Sequence, residues 1–391
     1  MKKIIAGIFV FCSLMNMAFT QEVSFSGEIS TMWGACLPGT KKAGDFSVGN
    51  MELTGTLKVT EGNGTAFVEG CISDDFIERE YAYDISEAYI DYSSSVWGIR
   101  MGQQKIVWGK ADEIDITNSV FPKDMTNLFK DDDFLAVKAA RFSLSGNMFT
   151  VDALVIPFFT ETKLPSDVLA NVGNPTRPEM KLQNMEYGIK ASGYFPLCDV
   201  SLYGFYGWEK TPLFGYAMGE YKRLSMFGAD FAIPVGATVL RSETAFFPGR
   251  EIQSSKKSIM AGDEISIRHN EVKSLLGIDW MPGEWTLTAQ YYFDFLADRS
   301  DKIEREDAFE HGATLSVSKT FLNETLELSL SGVVGFNNYD SAMKGSVDYS
   351  LSDQIGITLG TYIFVPGPEK DGLYGKYKDL SSAYLKVRYK W

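Results

Sequence analysis

The chain has 391 residues, 51 acidic against 37 basic, a formal charge of −14, and a 14% aromatic content that includes 19 Tyr and 27 Phe beside two His. So acidic a balance argues against nucleic acid as a partner, and four cysteines are too few for a disulfide scaffold. Beyond residue 20 no apolar run is long enough for a transmembrane helix, which leaves a secreted soluble protein or a membrane barrel.

In chain order, the first segment reads as a leader. Lys2 and Lys3 precede an apolar stretch, Ile4 to Met17, and Ala18-Phe19-Thr20 ends it with a small residue at each cleavage-site position. The expected division is a signal peptide over 1–20 and a single mature domain over 21–391. Phe11 is too bulky to precede a lipoprotein cysteine at Cys12.

From Val23 onward, apolar residues recur at every second position. Val23, Phe25, Ile29 and Trp33 alternate with Ser24, Ser26, Glu28 and Ser30, and Trp285 to Phe295 presents one long apolar face opposite Thr286, Thr288, Gln290 and Asp294. That period is the strand period. The pattern predicts strands near 23–33, 46–60, 65–72, 82–92, 96–104, 134–142, 148–157, 184–194, 200–208, 221–233, 237–247, 271–280, 285–295, 310–320, 325–336, 341–350, 354–364 and 381–391. Many are long enough for a tilted crossing of a bilayer. Even-numbered connections are tight turns, such as Glu61-Gly62-Asn63-Gly64 and Ser93-Ser94-Ser95, while odd-numbered ones are mostly long; Asn337 to Asp340 alone breaks the pattern. A soluble sandwich has no reason to sort loop length by parity, whereas outer-membrane barrels do. The reading is all-β: a transmembrane antiparallel up-and-down β-barrel of eighteen strands, with sixteen as the alternative. Both termini then lie on the periplasmic side, with no room for a plug or a periplasmic domain.

Two stretches resemble known outer-membrane proteins. The ending Tyr389-Lys390-Trp391 is similar to their C-terminal signal, which implies that Tyr389 and Trp391 are read by the barrel-assembly machinery. Gly102-Gln103-Gln104-Lys105-Ile106-Val107-Trp108-Gly109, followed by Asp115 and Pro122-Lys123-Asp124, resembles the G-R-Q-x-x-x-W-G … N-P-x-D stretch of porin-like barrels. It departs from that pattern at Gln103 and Phe121. The resemblance implies the barrel class and no particular substrate. Read as residues alone, the stretch is a strand end entering a long loop, with glycines for close approach or positive φ and Trp108 as an interfacial ring.

No nucleophile motif, zinc-helix motif or P-loop occurs, so no catalytic residue, metal ligand or cofactor is assigned and no enzyme is expected. His269 and His311, near Asp294 and Asp307, read as solvated strand-end residues, and Asp131-Asp132-Asp133 as a solvated loop end. Cys36 and Cys71 sit in or beside neighbouring loops, and a bridge between them stays open. The polar strand faces carry both signs: Glu28, Glu52, Glu69, Glu87, Asp91, Asp152, Glu186, Asp279 and Asp294 against Lys58, Arg100, Lys138, Lys190, Arg241, Lys273, Lys386 and Arg388. Such charges need water or a lattice of ion pairs. Eighteen tilted strands enclose a cylinder roughly 36 Å across, too wide for side chains to fill.

The third long loop, about 105–133, mixes charges with Ile114, Ile116, Val120, Phe121, Leu128 and Phe129, more apolar residues than a loop in water needs. It is expected to fold inward, with a helical turn over Met125 to Lys130; the alternative is a flap over the mouth. The candidate pore-lining set is Glu87, Asp91, Arg100, Lys105, Asp112, Glu113, Asp115, Asp124 and Lys138, with Arg100 roughly opposite Tyr89. The expected function is passive diffusion of small hydrophilic solutes. The competing reading is a surface ligand-binding or adhesin-type barrel with a closed lumen. Expected partners are outer-membrane lipid and those solutes, and assembly into homo-oligomers stays open.

Overall fold

A computed structural model describes residues 21–126, 134–165, 168, 175–215, 219–368 and 372–391. The leader, Asp131 to Asp133 and most of the expected turn over Met125 to Lys130 lie outside these residues.

The strands are β1 (Glu22–Cys36), β2 (Phe46–Glu61), β3 (Gly64–Asp75), β4 (Glu80–Ser93), β5 (Trp97–Gln104), β6 (Val137–Ser145), β7 (Phe149–Ile156), β8 (Glu186–Tyr194), β9 (Asp199–Trp208), β10 (Leu213–Phe214), β11 (Gly219–Glu220), β12 (Arg223–Val235), β13 (Thr238–Gln253), β14 (Ser266–Trp280), β15 (Trp285–Leu296), β16 (Phe309–Phe321), β17 (Leu326–Gly335), β18 (Asp340–Ser350), β19 (Ile355–Val365) and β20 (Ser382–Lys390). Apart from the small β10–β11 hairpin, they form one 18-stranded sheet in which each strand pairs with its sequence neighbours and β1 pairs with β20. Every pairing is antiparallel, and the closing one runs from Glu28 opposite Lys390 to Cys36 opposite Ser382. Closure leaves no sheet edge, the condition for strands to cross hydrocarbon.

The alternation sorts the two faces. Leu202, Phe227, Leu276, Leu315, Leu330 and Leu359 point outward and are exposed, while Thr314, Asp230 and Glu243, on the opposite parity, are buried. Aromatic residues ring both ends of the outer face, Trp97, Trp280, Trp285 and Trp391 at the tight-turn end and Trp33, Tyr83 and Phe309 at the long-loop end. This apolar outer face on a closed cylinder is that of a barrel embedded in a membrane.

Two departures from the sequence pattern have local causes, and one open question is answered. Pro248-Gly249 reads as the end of a strand, but β13 absorbs it as a register shift between Phe247 and Arg250 and continues to Gln253. Gly249 takes φ +60 there, so the pair makes a bulge and no turn. The second long loop shrinks because β3 and β4 extend to Asp75 and Glu80, with a bulge beside Glu69. Cys36 and Cys71, finally, are not joined by a disulfide.

Side-chain polarity should therefore have opposite consequences at successive residues of one strand. Leu330 faces outward at the middle of β17 and is 57% exposed, while Ser329 faces the lumen and its hydroxyl bonds that of Ser346. Leu330→Arg is expected to cost about 2–4 kcal/mol in urea-driven unfolding from vesicles, and Ser329→Arg little. Equal costs would overturn the assignment of faces.

Candidate functional site

The loop that leaves β5 does not run out into solvent. Gly102 turns β5 with φ +136 while lying against Ala88 and Tyr89, where any side chain would collide. Past Gln104 the chain crosses the inner face of the wall. Ile106, Trp108, Ile116, Val120 and Phe121 pack with Leu154 and Ile156 of β7, Tyr203 and Phe205 of β9, Leu224 and Met226 of β12, Ala245 and Phe247 of β13 and Leu275 of β14 in one buried cluster. Trp108 is the hub, 5.1 Å from Phe121, 5.3 Å from Tyr203 and 6.3 Å from Phe205 between ring centroids. It is a core residue, not the interfacial ring that its place at a strand end suggests.

One wall carboxylate holds the turn of this loop. Glu243 of β13 accepts from the backbone N–H groups of Lys110 (2.7 Å), Ala111 (3.0 Å) and Thr117 (2.7 Å) and from the Thr117 hydroxyl (2.6 Å). Gly109, at φ +83, lies so close to that carboxylate that a side chain there would strike it. Around this cradle Gly109 N–H donates to the Tyr203 hydroxyl at 3.2 Å, and that hydroxyl bonds Asp230. The Lys110 ammonium sits 2.9 Å from Asp230, and Arg241 donates to the Lys110 carbonyl and the Asp112 carboxylate. Gln290 of β15, with its amide oriented to satisfy its neighbours, bonds the Asp112 backbone. The loop thus reaches from β5 to β15 along the inner wall.

The sequence-derived residues fall into three groups. Glu87, Asp91 and Arg100 face the lumen on β4 and β5. Arg100 lies directly opposite Asp91, bonding it at 2.8 Å, and leans over the Tyr89 ring at 4.2 Å; Tyr89 itself is opposite Gly102, so the expected Arg100–Tyr89 register is off by one lumenal position. Glu87 accepts from the Lys105 backbone N–H at 2.7 Å. Asp112, Glu113, Asp115 and Asp124 belong to the loop. Asp112 is bound to Arg241, Asp115 pairs with Lys123, Asp124 lies 3.9 Å from the Lys163 ammonium, and Glu113 is exposed at φ +64. Lys138 is a correction: it pairs with Gln103 on the outward parity of β6 and is exposed, while Val137 and Ala139 point in. The lumenal cation of that strand is Arg141, opposite Arg100.

Glu243, Asp230, Tyr203 and Arg141 were missed. The available signal was the mixture of faces: β7, β9 and β12–β14 carry apolar residues on the lumenal parity too, which marks a covered wall. Of the two histidines only His269 departs from the solvated reading, while His311 stays partly exposed near the start of β16. His269 is buried, with Nδ1 3.2 Å from the Ala297 carbonyl oxygen, and His311 is 3.0 Å from the Tyr291 hydroxyl. Among the described residues no group of His, Cys, Asp and Glu is arranged to hold a metal ion.

A second anchor ties the loops at the fourth and fifth long connections. Lys210 donates to both oxygens of Glu186, at 2.7 and 2.6 Å, and both side chains are buried. Burial pushes the Lys210 ammonium down from the ordinary lysine value, and Glu186 opposes that shift. Thr162 N–H reaches the Lys210 carbonyl, joining the two loops.

Such a barrel, closed and apolar outside with a loop folded against its inner wall, has the architecture of the porin-like outer-membrane proteins. The chain is similar in fold to three solved structures over nearly its full length. OccAB1 of Acinetobacter baumannii matches at TM-score 0.57 and 10% identity, over 95% of this chain and 96% of that one. OccK2 (OpdF) of Pseudomonas aeruginosa, in complex with glucuronate, matches at 0.57 and 12%, over 95% and 96%. OpdK of Pseudomonas aeruginosa, with vanillate, matches at 0.56 and 9%, over 95% and 98%. At such identities the likeness is one of fold. No family model matches the chain, and no curated protein matches its sequence.

The buried pair gives a prediction. Lys210→Met leaves the buried Glu186 carboxylate without its counter-ion, held only by the Trp208 N–H, and is expected to cost about 3–5 kcal/mol in thermal unfolding, whereas Lys210→Met with Glu186→Leu should recover most of it. A double variant as unstable as the single one would remove the pair from its anchoring role.

Proposed function

We propose that the protein is an outer-membrane channel for passive diffusion of small hydrophilic solutes, narrowed by its third long loop. The observation that carries this reading is the Glu243 cradle, which fixes residues 105–126 across half of the inner wall. The other half keeps charged residues on its lumenal face, among them Glu52, Lys58, Glu69 and Glu87. Glu69 and Glu87 stand directly opposite each other on β3 and β4, and like charges so placed are destabilising without water. Glucuronate and vanillate, the molecules bound in OccK2 and OpdK, are small and polar, which agrees with solutes of this kind. In this reading Glu113 and Asp115 on the loop face Glu87, Asp91 and Arg100 across the aperture, and Asp124 borders it beside β4, where Lys163 links it to Asp84. The stretch from Gly102 to Gly109 is then the same device as the G-R-Q-x-x-x-W-G stretch of porin-like barrels, its two glycines at positive φ.

Single-channel conductance in planar bilayers tests the proposal. Glu243→Ala removes the acceptor of four hydrogen bonds, each of the charge-assisted kind worth about 1.5–3 kcal/mol. The sheet does not depend on it, so the barrel should stay folded while conductance rises severalfold. Glu113→Lys, a substitution outside the ion pairs, should move ion preference toward anions, because fixed charge at a narrow point is screened least. A folded parent that carries no current would refute the channel and favour a surface-binding barrel with a closed lumen.

The proposal includes the C-terminal signal. Trp391 exchanges backbone hydrogen bonds with Gly27 at 3.1 and 3.2 Å and stacks with Tyr389 at 6.2 Å. Deleting Trp391 should lower the yield of heat-modifiable barrel more than export. Normal amounts of folded barrel would remove Tyr389 and Trp391 from that role.

A further inference from the structure

The third loop is not alone on the inner side. The last connection, between β19 and β20, turns back over the wall through two short helical turns, α1 (Gly372–Gly375) and a 3-10 turn (Lys378–Leu380). The first lies against β18 and β19 and the second against β19. Its anchor is Asp340, the first residue of β18, which is only 2% exposed. The Asp340 carboxylate accepts from the backbone N–H groups of Tyr374 at 2.6 Å and Gly375 at 3.4 Å. Gly372, at φ +67, lies against that carboxylate where a side chain would collide, and Gly375 is pressed as closely on Pro366.

From this anchor Tyr374 reaches across to β15, where it shares a side-chain hydrogen bond with Tyr292. Tyr292 faces the lumen: it stands opposite Leu275 on β14, and its ring lies over Gly312 on β16. It also packs against the buried cluster that holds the third loop. Gln290, one lumenal position away on the same strand, bonds the Asp112 backbone at the far turn of that loop. Two loops that leave the wall a third of the circumference apart therefore end on adjacent lumenal positions of β15, reached from its two sides.

We propose that residues 372–381 are a second inward jaw, anchored on Asp340 and rested on Tyr292, that sets the aperture together with the third loop. At the level of the loops the solute path is then pushed toward β2 to β4, whose lumenal faces carry Glu52, Lys58, Glu69 and Glu87. This rests on the channel reading and adds to it a second determinant of pore size, with Tyr374 as the residue whose position fixes it. A buried carboxylate holding two backbone donors is a fixed point, while one phenol–phenol bond is weak enough to exchange with water. The jaw is hinged at Asp340 and held at Tyr374.

The test uses the whole barrel and two readouts. Asp340→Ala should raise single-channel conductance at least twofold and speed tryptic cleavage after Lys376 and Lys378 at least tenfold. Tyr374→Phe, which keeps the ring and loses the hydroxyl, should leave cleavage near the parent rate while increasing rapid current fluctuations. Asp340→Asn keeps one acceptor oxygen and should fall between parent and Asp340→Ala on both readouts. If Asp340→Ala does not fold, replacing residues 372–378 with a Gly-Ser linker gives the same conductance arm. A conducting parent whose jaw-replaced variant conducts equally would overturn the second jaw and leave the channel standing. A silent parent would overturn the channel, and with it the jaw's role in the aperture. Unchanged cleavage in a folded Asp340→Ala variant would overturn the anchor itself.

Discussion

The Glu243 carboxylate is the interaction on which the inner architecture depends. The described stretch 105–126 has few helical or strand hydrogen bonds of its own, so its backbone donors must be met by something else once it leaves water. Glu243 meets those of Lys110, Ala111 and Thr117 at one point. In return, those donors satisfy a carboxylate that is 1% exposed and could not otherwise stay charged there. The dependence is mutual: the apolar residues of the loop cover the wall, the cover dries the carboxylate, and the dry carboxylate strengthens the bonds that hold the cover. Gly109 is required because the backbone passes the carboxylate at a distance no side chain allows.

That coupling explains which parts of the structure were legible in sequence. Strands such as β1, β15 and β20 alternate cleanly because their outward residues are apolar and their lumenal ones mostly polar, and their parity follows directly from the residues. Strands β7, β9 and β12–β14 carry Leu154, Phe205, Met226, Ala245, Phe247 and Leu275 toward the inside, so their two faces look alike and the period weakens. The same ambiguity hid Glu243, a lone carboxylate with Ala245 and Phe247 as its lumenal neighbours. Lys138 was misplaced for the complementary reason. Val137 and Ala139, small and apolar, look like lipid-facing residues, yet they pack under the third loop, and this inverts the apparent parity of the start of β6.

Turn chemistry set a second limit. Pro248-Gly249 breaks the strand pattern in any local reading, and only the pairing of β13 with β14 beyond it, from Arg250 opposite His269 to Gln253 opposite Ser266, turns the break into a bulge. The extension has a use. It carries Arg250 upward into contact with Glu209 and Glu271, and Arg305 joins Glu271 to Asp294. Lys273 closes on Asp294 at 3.2 Å. None of these partners is close in sequence, so the network appears only once the barrel is closed.

The barrel therefore holds lumenal charge in two ways, in two sectors. On β13 to β16 acidic and basic groups interlock in a lattice that tolerates partial burial, because each ion has an opposite ion within hydrogen-bond reach. On β3 and β4, Glu69 and Glu87 face each other, and the lattice solution is absent between them. Two carboxylates in that register repel each other, and what relieves the repulsion is water and single donors, the Thr56 hydroxyl for Glu69 and the Lys105 N–H for Glu87. The distribution of ion pairs is thus itself a map of where the cylinder is filled and where it is wet. Its dry side coincides with the wall on which the third loop rests. An inward loop placed at random would have covered unpaired charge; this one brings Lys110 to Asp230 and its own backbone donors to Glu243, so the charge it covers is matched as it is covered.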